Sequence, residues 1–325
     1  MEFKPSYELN LIQDEDFAAA MDDICRRLDD CRVSGYFTGQ EDAQIYYEYF
    51  PVEQARGSVV LLHGMSEFTK KHYELAYYLM EQGYSVFLCD HRGHGLSQRL
   101  TDRIDLIHVD RFSDYALDLD IFMQEIVLPN AVQPLYLYGH SMGGAISLFY
   151  LADHPGIFRK AVVSSPLFVP HLPAPIPAAA VSAWIDIRRH GDKSKLTHSR
   201  DFVAKIPEQW QTDPKCSRNK YMMQLRLDHP SYQTTPMSAG FALRALCLTR
   251  KLLKIAKKVT TPHLLISAQA DTVVKTRPQA RYGRRAPMCR FISVPGAKHA
   301  MMCDDVQSAA IHTHLVLDYL KEETT

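Results

Sequence analysis

The sequence predicts an α/β protein, a mostly parallel central sheet flanked by helices and interrupted once by an inserted, largely helical segment. Three observations lead there. Short apolar, β-branched runs recur along the chain, as strands buried on both faces require. Stretches with apolar residues at helical spacing separate them. The alternation stops at Pro166 and resumes near His263. The 325 residues are 46% hydrophobic and 23% charged, which excludes wholesale disorder, collagen-like repeats and a coiled coil.

In order, residues 1–34 read as an acidic, helical lead-in, and the pattern changes at Gly35. Residues 44–50, rich in Tyr and Ile, read as a strand, and residues 58–62 as a buried strand running into His63-Gly64. Tyr73, Ala76, Leu79 and Met80 mark a helix before a strand at 85–89. Phe112, Tyr115, Leu119, Phe122 and Ile126 recur at steps of 3 and 4, predicting a helix over 111–128. A strand at 135–138, a helix from Met142 and a strand at 161–164 follow. The insertion, 166–246, carries Pro170, Pro173, Pro175 and Pro177 and much of the basic charge. A strand at 263–267, a helix near 277–285, a strand at 290–294 and a helix over 305–320 complete the fold. The expected divisions are 1–34, 35–165, 166–246 and 247–325.

Lys plus Arg and Asp plus Glu are each 37, so no global charge attracts nucleic acid. The zero is a sum of opposites: residues 1–50 hold 12 acids and 4 bases, residues 188–226 hold 10 bases and 4 acids. Seven scattered cysteines without a Cys-x-x-Cys pair suit free thiols in a reducing compartment. No apolar run reaches the roughly 18–20 residues of a membrane span. Met1 to Pro5 show no basic segment leading into an apolar one. The expectation is a cytoplasmic protein with no cofactor.

Gly139-His140-Ser141-Met142-Gly143 lies between a predicted strand and a predicted helix. A serine nucleophile on a sharp strand-to-helix turn needs small neighbours two residues away on either side, so that strand and helix can pass closely. A serine hydroxyl also needs a base, and the base an orienting acid. Asp271 follows the strand at 263–267 and His299 the strand at 290–294, so Ser141, Asp271 and His299 are the candidate catalytic residues. Asp304 and Asp305, leading into the last helix, read as caps. The oxyanion donors are expected to be the backbone N–H groups of Met142 and Met65. Glu67 either pins that loop or is a solvated acid.

With these motifs, His63-Gly64-Met65-Ser66-Glu67 and Asp90-His91-Arg92-Gly93-His94-Gly95-Leu96-Ser97, the chain resembles the α/β-hydrolases of the monoacylglycerol lipase and lysophospholipase group over most of residues 35–320. Leu196-Thr197-His198-Ser199-Arg200 resembles a segment in the cap of bacterial lysophospholipases. Phe68 stands where monoacylglycerol lipases of this group usually carry His. The resemblance implies an α/β-hydrolase fold whose insertion is a cap, and a carboxyl-ester hydrolase acting on single-chain lipids, most of all a lysophospholipase. It also implies that the loop holding His91 and His94 is a structural turn. No further ligands at zinc spacing accompany those two histidines, so no metal is expected.

Other readings share the scaffold. They are a monoacylglycerol lipase or general carboxylesterase, a proline iminopeptidase-like peptidase, and a catalytically silent binding protein. The last would be expected to lack a triad member, and a peptidase would need cap acids for a substrate amine. Within the cap, Phe168, Leu172, Trp184 and Ile185 are candidate substrate contacts, the alternative being a small core of the cap itself. Arg188 and Arg189 begin a basic run beside them, the expected site of peripheral membrane contact.

Overall fold

The computed structural model describes residues 10–323, without the side chains of residues 249 and 250. Residues 1–9, read above for a leader, lie outside the described residues.

Among the described residues, eight strands form one sheet in the order β1-β2-β4-β3-β5-β6-β7-β8. These are β1 (Val33–Thr38), β2 (Gln44–Phe50), β3 (Ser58–Leu62), β4 (Ser85–Cys89), β5 (Leu135–His140), β6 (Lys160–Ser164), β7 (His263–Ala268) and β8 (Cys289–Val294). Strands β4 to β8 and β3 pair in parallel, while β1 and β2 pair antiparallel at one edge. The helices in chain order are α1 (Phe17–Cys31), α2 (Tyr73–Glu81), α3 (Ser113–Phe122), α4 (Leu128–Asn130) and α5 (Met142–Asp153). Then come α6 (Ile176–His190), α7 (Glu208–Thr212), α8 (Ser217–Asp228), α9 (Ala239–Leu246), α10 (Leu248–Ile255), α11 (Thr276–Gly283) and α12 (Val306–Lys321).

The central strands are apolar throughout because successive side chains point to opposite, equally buried faces. Val60, Leu62, Leu137 and Val163 enter one core cluster with Leu119 of α3, Leu148 of α5, Leu252 of α10 and Tyr282 of α11. Their neighbours Val59, Leu61, Tyr138 and Val162 enter the other, with Met21 of α1, Leu79 of α2 and Val316 of α12. The predicted 111–128 helix is α3 followed by a π-helical turn, Met123–Val127, and α4. Through that turn Met123 and Val127 reach the core, and Ile126 only packs against its margin.

The insertion is helical over 176–258, between β6 and β7. The acidic lead-in holds it in place. Arg218, fully buried on α8, is ion-paired with Asp14 and donates to Glu74 of α2 at 3.0 Å and to the Ile12 carbonyl at 2.8 Å. Its guanidinium lies 4.5 Å from the ring centre of Phe17, and the second oxygen of Asp14 accepts the Val306 N–H at the start of α12. One cation thus joins the lead-in, the core and the insertion. No described helix is long and apolar enough to cross a membrane, and all seven cysteines are free.

Removing one partner of a buried ion pair strands the others. Arg218→Ala should therefore cost about 3–5 kcal/mol in urea unfolding, whereas Arg188→Ala, on an exposed position, should stay within about 0.5 kcal/mol.

Candidate active site

Strand β5 ends at His140 and α5 begins at Met142, leaving Ser141 to turn the chain at φ 50° and ψ −112°. That conformation costs an L residue about 1–3 kcal/mol, so close packing must enforce it. A Cβ on Gly139 would stand 2.3 Å from the Ser147 hydroxyl, and one on Gly143 would stand 2.3 Å from the Leu62 carbonyl. The Ser141 N–H donates to the Ser164 carbonyl at 2.9 Å, and its own carbonyl accepts the Leu167 N–H at 2.9 Å.

The structure brings Ser141, His299 and Asp271 together. His299 Nε2 lies 3.0 Å from Ser141 Oγ, and its Nδ1 lies 2.7 Å from Asp271 Oδ2. The other oxygen of Asp271 accepts the N–H groups of Val273 and Val274 at 2.7 and 2.8 Å. A carboxylate can only accept, so Nδ1 carries the hydrogen and Nε2 is left to accept from the serine. Asp304 pairs instead with Lys298, and Asp305 caps α12 by accepting the Ser308 N–H.

The Met142 N–H is the first of α5 and has no intrahelical partner by its position. The Met65 N–H donates to no acceptor among the described residues. Glu67 holds the loop between: its buried carboxylate accepts the Gly64 N–H at 2.7 Å, Lys71 Nζ at 2.5 Å and His72 Nε2 at 3.2 Å, with His140 Nε2 at 3.5 Å. Burial pushes this carboxyl upward, but Lys71, His140 and His72 outweigh it and hold the group well below the usual carboxylate range. Lys71, His72 and His140 were not singled out from sequence. The Glu67 to Lys71 spacing of four was the available signal.

The loop from Asp90 to Ser97 buttresses the same region. His63 Nε2 accepts the His91 N–H at 2.9 Å, so its Nδ1 carries the hydrogen and donates to the Gly64 carbonyl at 2.7 Å. Burial drives the His63 pKa well down, keeping that neutral form. Asp90 accepts the N–H groups of Thr69 and Leu96, each at 2.7 Å. His91 Nε2 donates to the His63 carbonyl at 3.0 Å, and His94 Nδ1 lies 3.0 Å from the Arg92 carbonyl. Among the described residues, His108, Asp110 and Asp192 converge as possible metal ligands. Arg244 already serves there, donating to Asp192 at 3.0 Å and to the Asp110 carbonyl at 2.5 Å. The group joins the insertion to the core as an ion-pair cluster.

The four candidate contacts in the insertion lie in different surroundings. Phe168 is buried in the core with its ring 5.2 Å from that of Tyr282. Leu172 and Ile185 are half-buried, and Trp184 is 54% exposed. In the loop after β3, Phe68 contacts the insertion, stacked on Tyr232 at 3.9 Å between ring centres. Thr197 and Ser199 staple the insertion internally: Asp186 accepts the Thr197 N–H and hydroxyl at 2.8 Å, and Ser199 Oγ accepts the Met237 N–H at 2.9 Å.

Glu67→Gln keeps an acceptor for Gly64 but removes the charge facing Lys71. Turnover of p-nitrophenyl butyrate should fall about 10- to 10²-fold, less than the 10²–10³ of a donor lost outright. The carboxyl's depressed pKa gives the folded state stability that is present above pH 4.5 and lost as pH falls through the folded value. Acid titration of thermal unfolding should show that loss shrinking in the Gln variant.

A model of the family described as "Serine aminopeptidase, S33" matches residues 53–306. Lysophospholipase L2 of Escherichia coli strain K12 is 28% identical over 311 residues, covering 90% of this chain and 89% of that protein. A monoacylglycerol lipase of Mycolicibacterium smegmatis is 25% identical over 242 residues, covering 73% and 79%. In fold, a soluble variant of monoglyceride lipase from Saccharomyces cerevisiae superimposes with a TM-score of 0.67 at 22% identity, covering 90% and 95%. With the family model spanning the elbow at Ser141 and both of its hydrogen-bonded partners, the chain belongs to this family of α/β-hydrolases and is a serine hydrolase.

Proposed function

We propose that the protein is a lysophospholipase, and that Ser141, His299 and Asp271 carry its reaction. The observation that carries the reading is the unbroken hydrogen-bonded chain from Ser141 Oγ through His299 to Asp271. His299 Nε2 takes the hydroxyl proton as Ser141 Oγ attacks the ester carbonyl. The resulting oxyanion is held by the Met65 and Met142 N–H groups. Collapse expels the glycerol-bearing alcohol, which takes the proton from His299 and leaves an acyl-Ser141 ester. His299 then deprotonates a water that attacks the acyl carbon, and returns that proton to Ser141 Oγ as the fatty acid departs. Asp271 stays ionised and steadies the imidazolium formed in each half.

Support for a single-chain lipid comes from the relatives named lysophospholipase and monoacylglycerol lipase. An aminopeptidase would have to hold a substrate ammonium, yet Lys71 and Arg226 line the cavity beside His299. A membrane-facing role for the cap is supported by α6, where Val181 and Trp184 are 56% and 54% exposed and Arg188 and Arg189 follow on its last turn.

Ser141→Ala should lower hydrolysis of lysophosphatidylcholine and p-nitrophenyl esters by about 10⁴-fold or more, with unchanged thermal unfolding. Retained activity would remove Ser141 from the mechanism, and release of proline from Pro-naphthylamide by the wild type would favour the peptidase. Reversing Arg188 and Arg189 to Glu should weaken binding to anionic vesicles by at least about 30-fold, taking roughly 1 kcal/mol for each attractive charge lost, with repulsion from the new carboxylates added. Soluble esters should be hydrolysed as before. Equal loss on both would make the patch structural only.

A further inference from the structure

A cavity of about 140 Å³ lies between the oxyanion loop, the residue after His299, and α8, roughly ten times the space one water needs. Ser66 and Ala300 place it at the reaction centre. Ser66 is two residues from Gly64, where a Cβ would stand 3.1 Å from that of Ser141, and Ala300 adjoins His299. Its charged lining residues are Lys71 and Arg226, and no carboxylate lines it. Lys71 is matched by Glu67 at 2.5 Å. Arg226 is not matched.

The Arg226 guanidinium donates only to neutral acceptors: Tyr232 O at 3.0 Å, Thr234 O at 2.9 Å and Thr235 Oγ1 at 2.5 Å. Phe202 covers one face, its ring centre 4.5 Å away. These contacts use Nε and Nη2, and Nη1 has no acceptor among the described residues. Burial lowers this group's pKa and the Glu67 charge, already paired with Lys71, only partly opposes it, as for a cation with no carboxylate bonded to it. Two helical turns away on α8, Asn219 lines the same cavity with a side-chain amide that makes no hydrogen bond among the described residues.

We propose that this cavity binds the phosphate of a lysophospholipid head group, with Arg226 Nη1 and the Asn219 amide as its donors. The inference rests on the lipid-ester reading above and narrows it, because a monoacylglycerol offers this pair only neutral hydroxyls and no anion. A guanidinium facing an anion gives charge-assisted hydrogen bonds, roughly twice as strong as neutral ones. The cavity would then select the leaving alcohol while Ser141 and His299 act on the ester.

The test compares 1-palmitoyl lysophosphatidylglycerol with 1-palmitoylglycerol in neutral mixed micelles, for wild type, Arg226→Gln and Asn219→Asp. Both variants should lose about 10- to 100-fold in kcat/KM on the lysophospholipid and stay within about threefold on the monoacylglycerol. Equal losses on both lipids, or none on either, would overturn the proposal. Arg226 also ties down residues 232–235, so Asn219→Asp is the safeguard. An acid in the first turn of α8 suits the helix dipole and places a like charge beside the phosphate. Should the wild type hydrolyse neither lipid, the lipid-ester reading fails. Calorimetry of lysophosphatidylglycerol on Ser141→Ala then decides the cavity separately. Binding about tenfold weaker with Asn219→Asp added supports the phosphate site, and equal affinities overturn it.

Discussion

The carbonyls of Leu62 and His63 stand 2.3 and 2.5 Å from where a side chain on Gly143 would begin. The end of β3 and the first turn of α5 can meet this closely only because Gly143 has no side chain. The approach brings the loop after β3 alongside the first turn of α5. It also leaves Ser141 at positive φ, with its hydroxyl turned out of the sheet toward His299. Strain at one residue is thereby offset by packing among three backbones. The loop cannot drift, because Glu67 grips Gly64 from one side and His63, locked by His91, grips it from the other.

The insertion is attached firmly to that centre. Phe68 lies within the oxyanion loop yet stacks on Tyr232 and packs with Met222 and Leu225 of the insertion. Any shift of α8 is felt by the loop after β3, in which the proposed oxyanion donor Met65 lies. Arg218 anchors the other side of the same helix to Asp14 and Glu74. The Arg244 and Asp192 pair, with Ser238 Oγ 2.7 Å from His108 Nδ1, fixes the insertion to the loop after β4. A cap held at three places is a wall of the site more than a hinged flap.

What could be read from sequence follows from locality. The parallel strands declare themselves as continuous apolar runs because both faces are covered, and the order of Ser141, Asp271 and His299 follows from strand ends. Strand β1 was not expected: it is an edge strand whose only buried residue is Phe37, so it carries no apolar period. The π-helical turn after α3 leaves no mark in a pattern of steps of 3 and 4. The Glu67 cage draws on His140, and the Arg218 cluster joins residues 204 positions apart, so both exist only once the topology is closed. Phe168 reads as a cap residue by position, but its segment is still leaving β6 and packs beneath the sheet edge with the core.

Ten bases against four acids between residues 188 and 226 read as one basic surface, and the fold divides them by environment. Arg218 is consumed internally, neutralised by the acidic lead-in that looked unrelated to it. Lys195 and Lys205 pair with Asp201 and Glu208 at the surface, where such pairs contribute little. Arg188 and Arg189 are exposed, so their pull on an anionic interface is screened over about 8 Å at physiological salt. Arg226 is half-buried and faces a cavity, where screening is weaker. The two proposed roles, attraction to a surface and recognition of a head group, would therefore fall to different bases with different salt sensitivity. Raising ionic strength would act on the first before the second, which would make the two proposed contributions separable in a single protein.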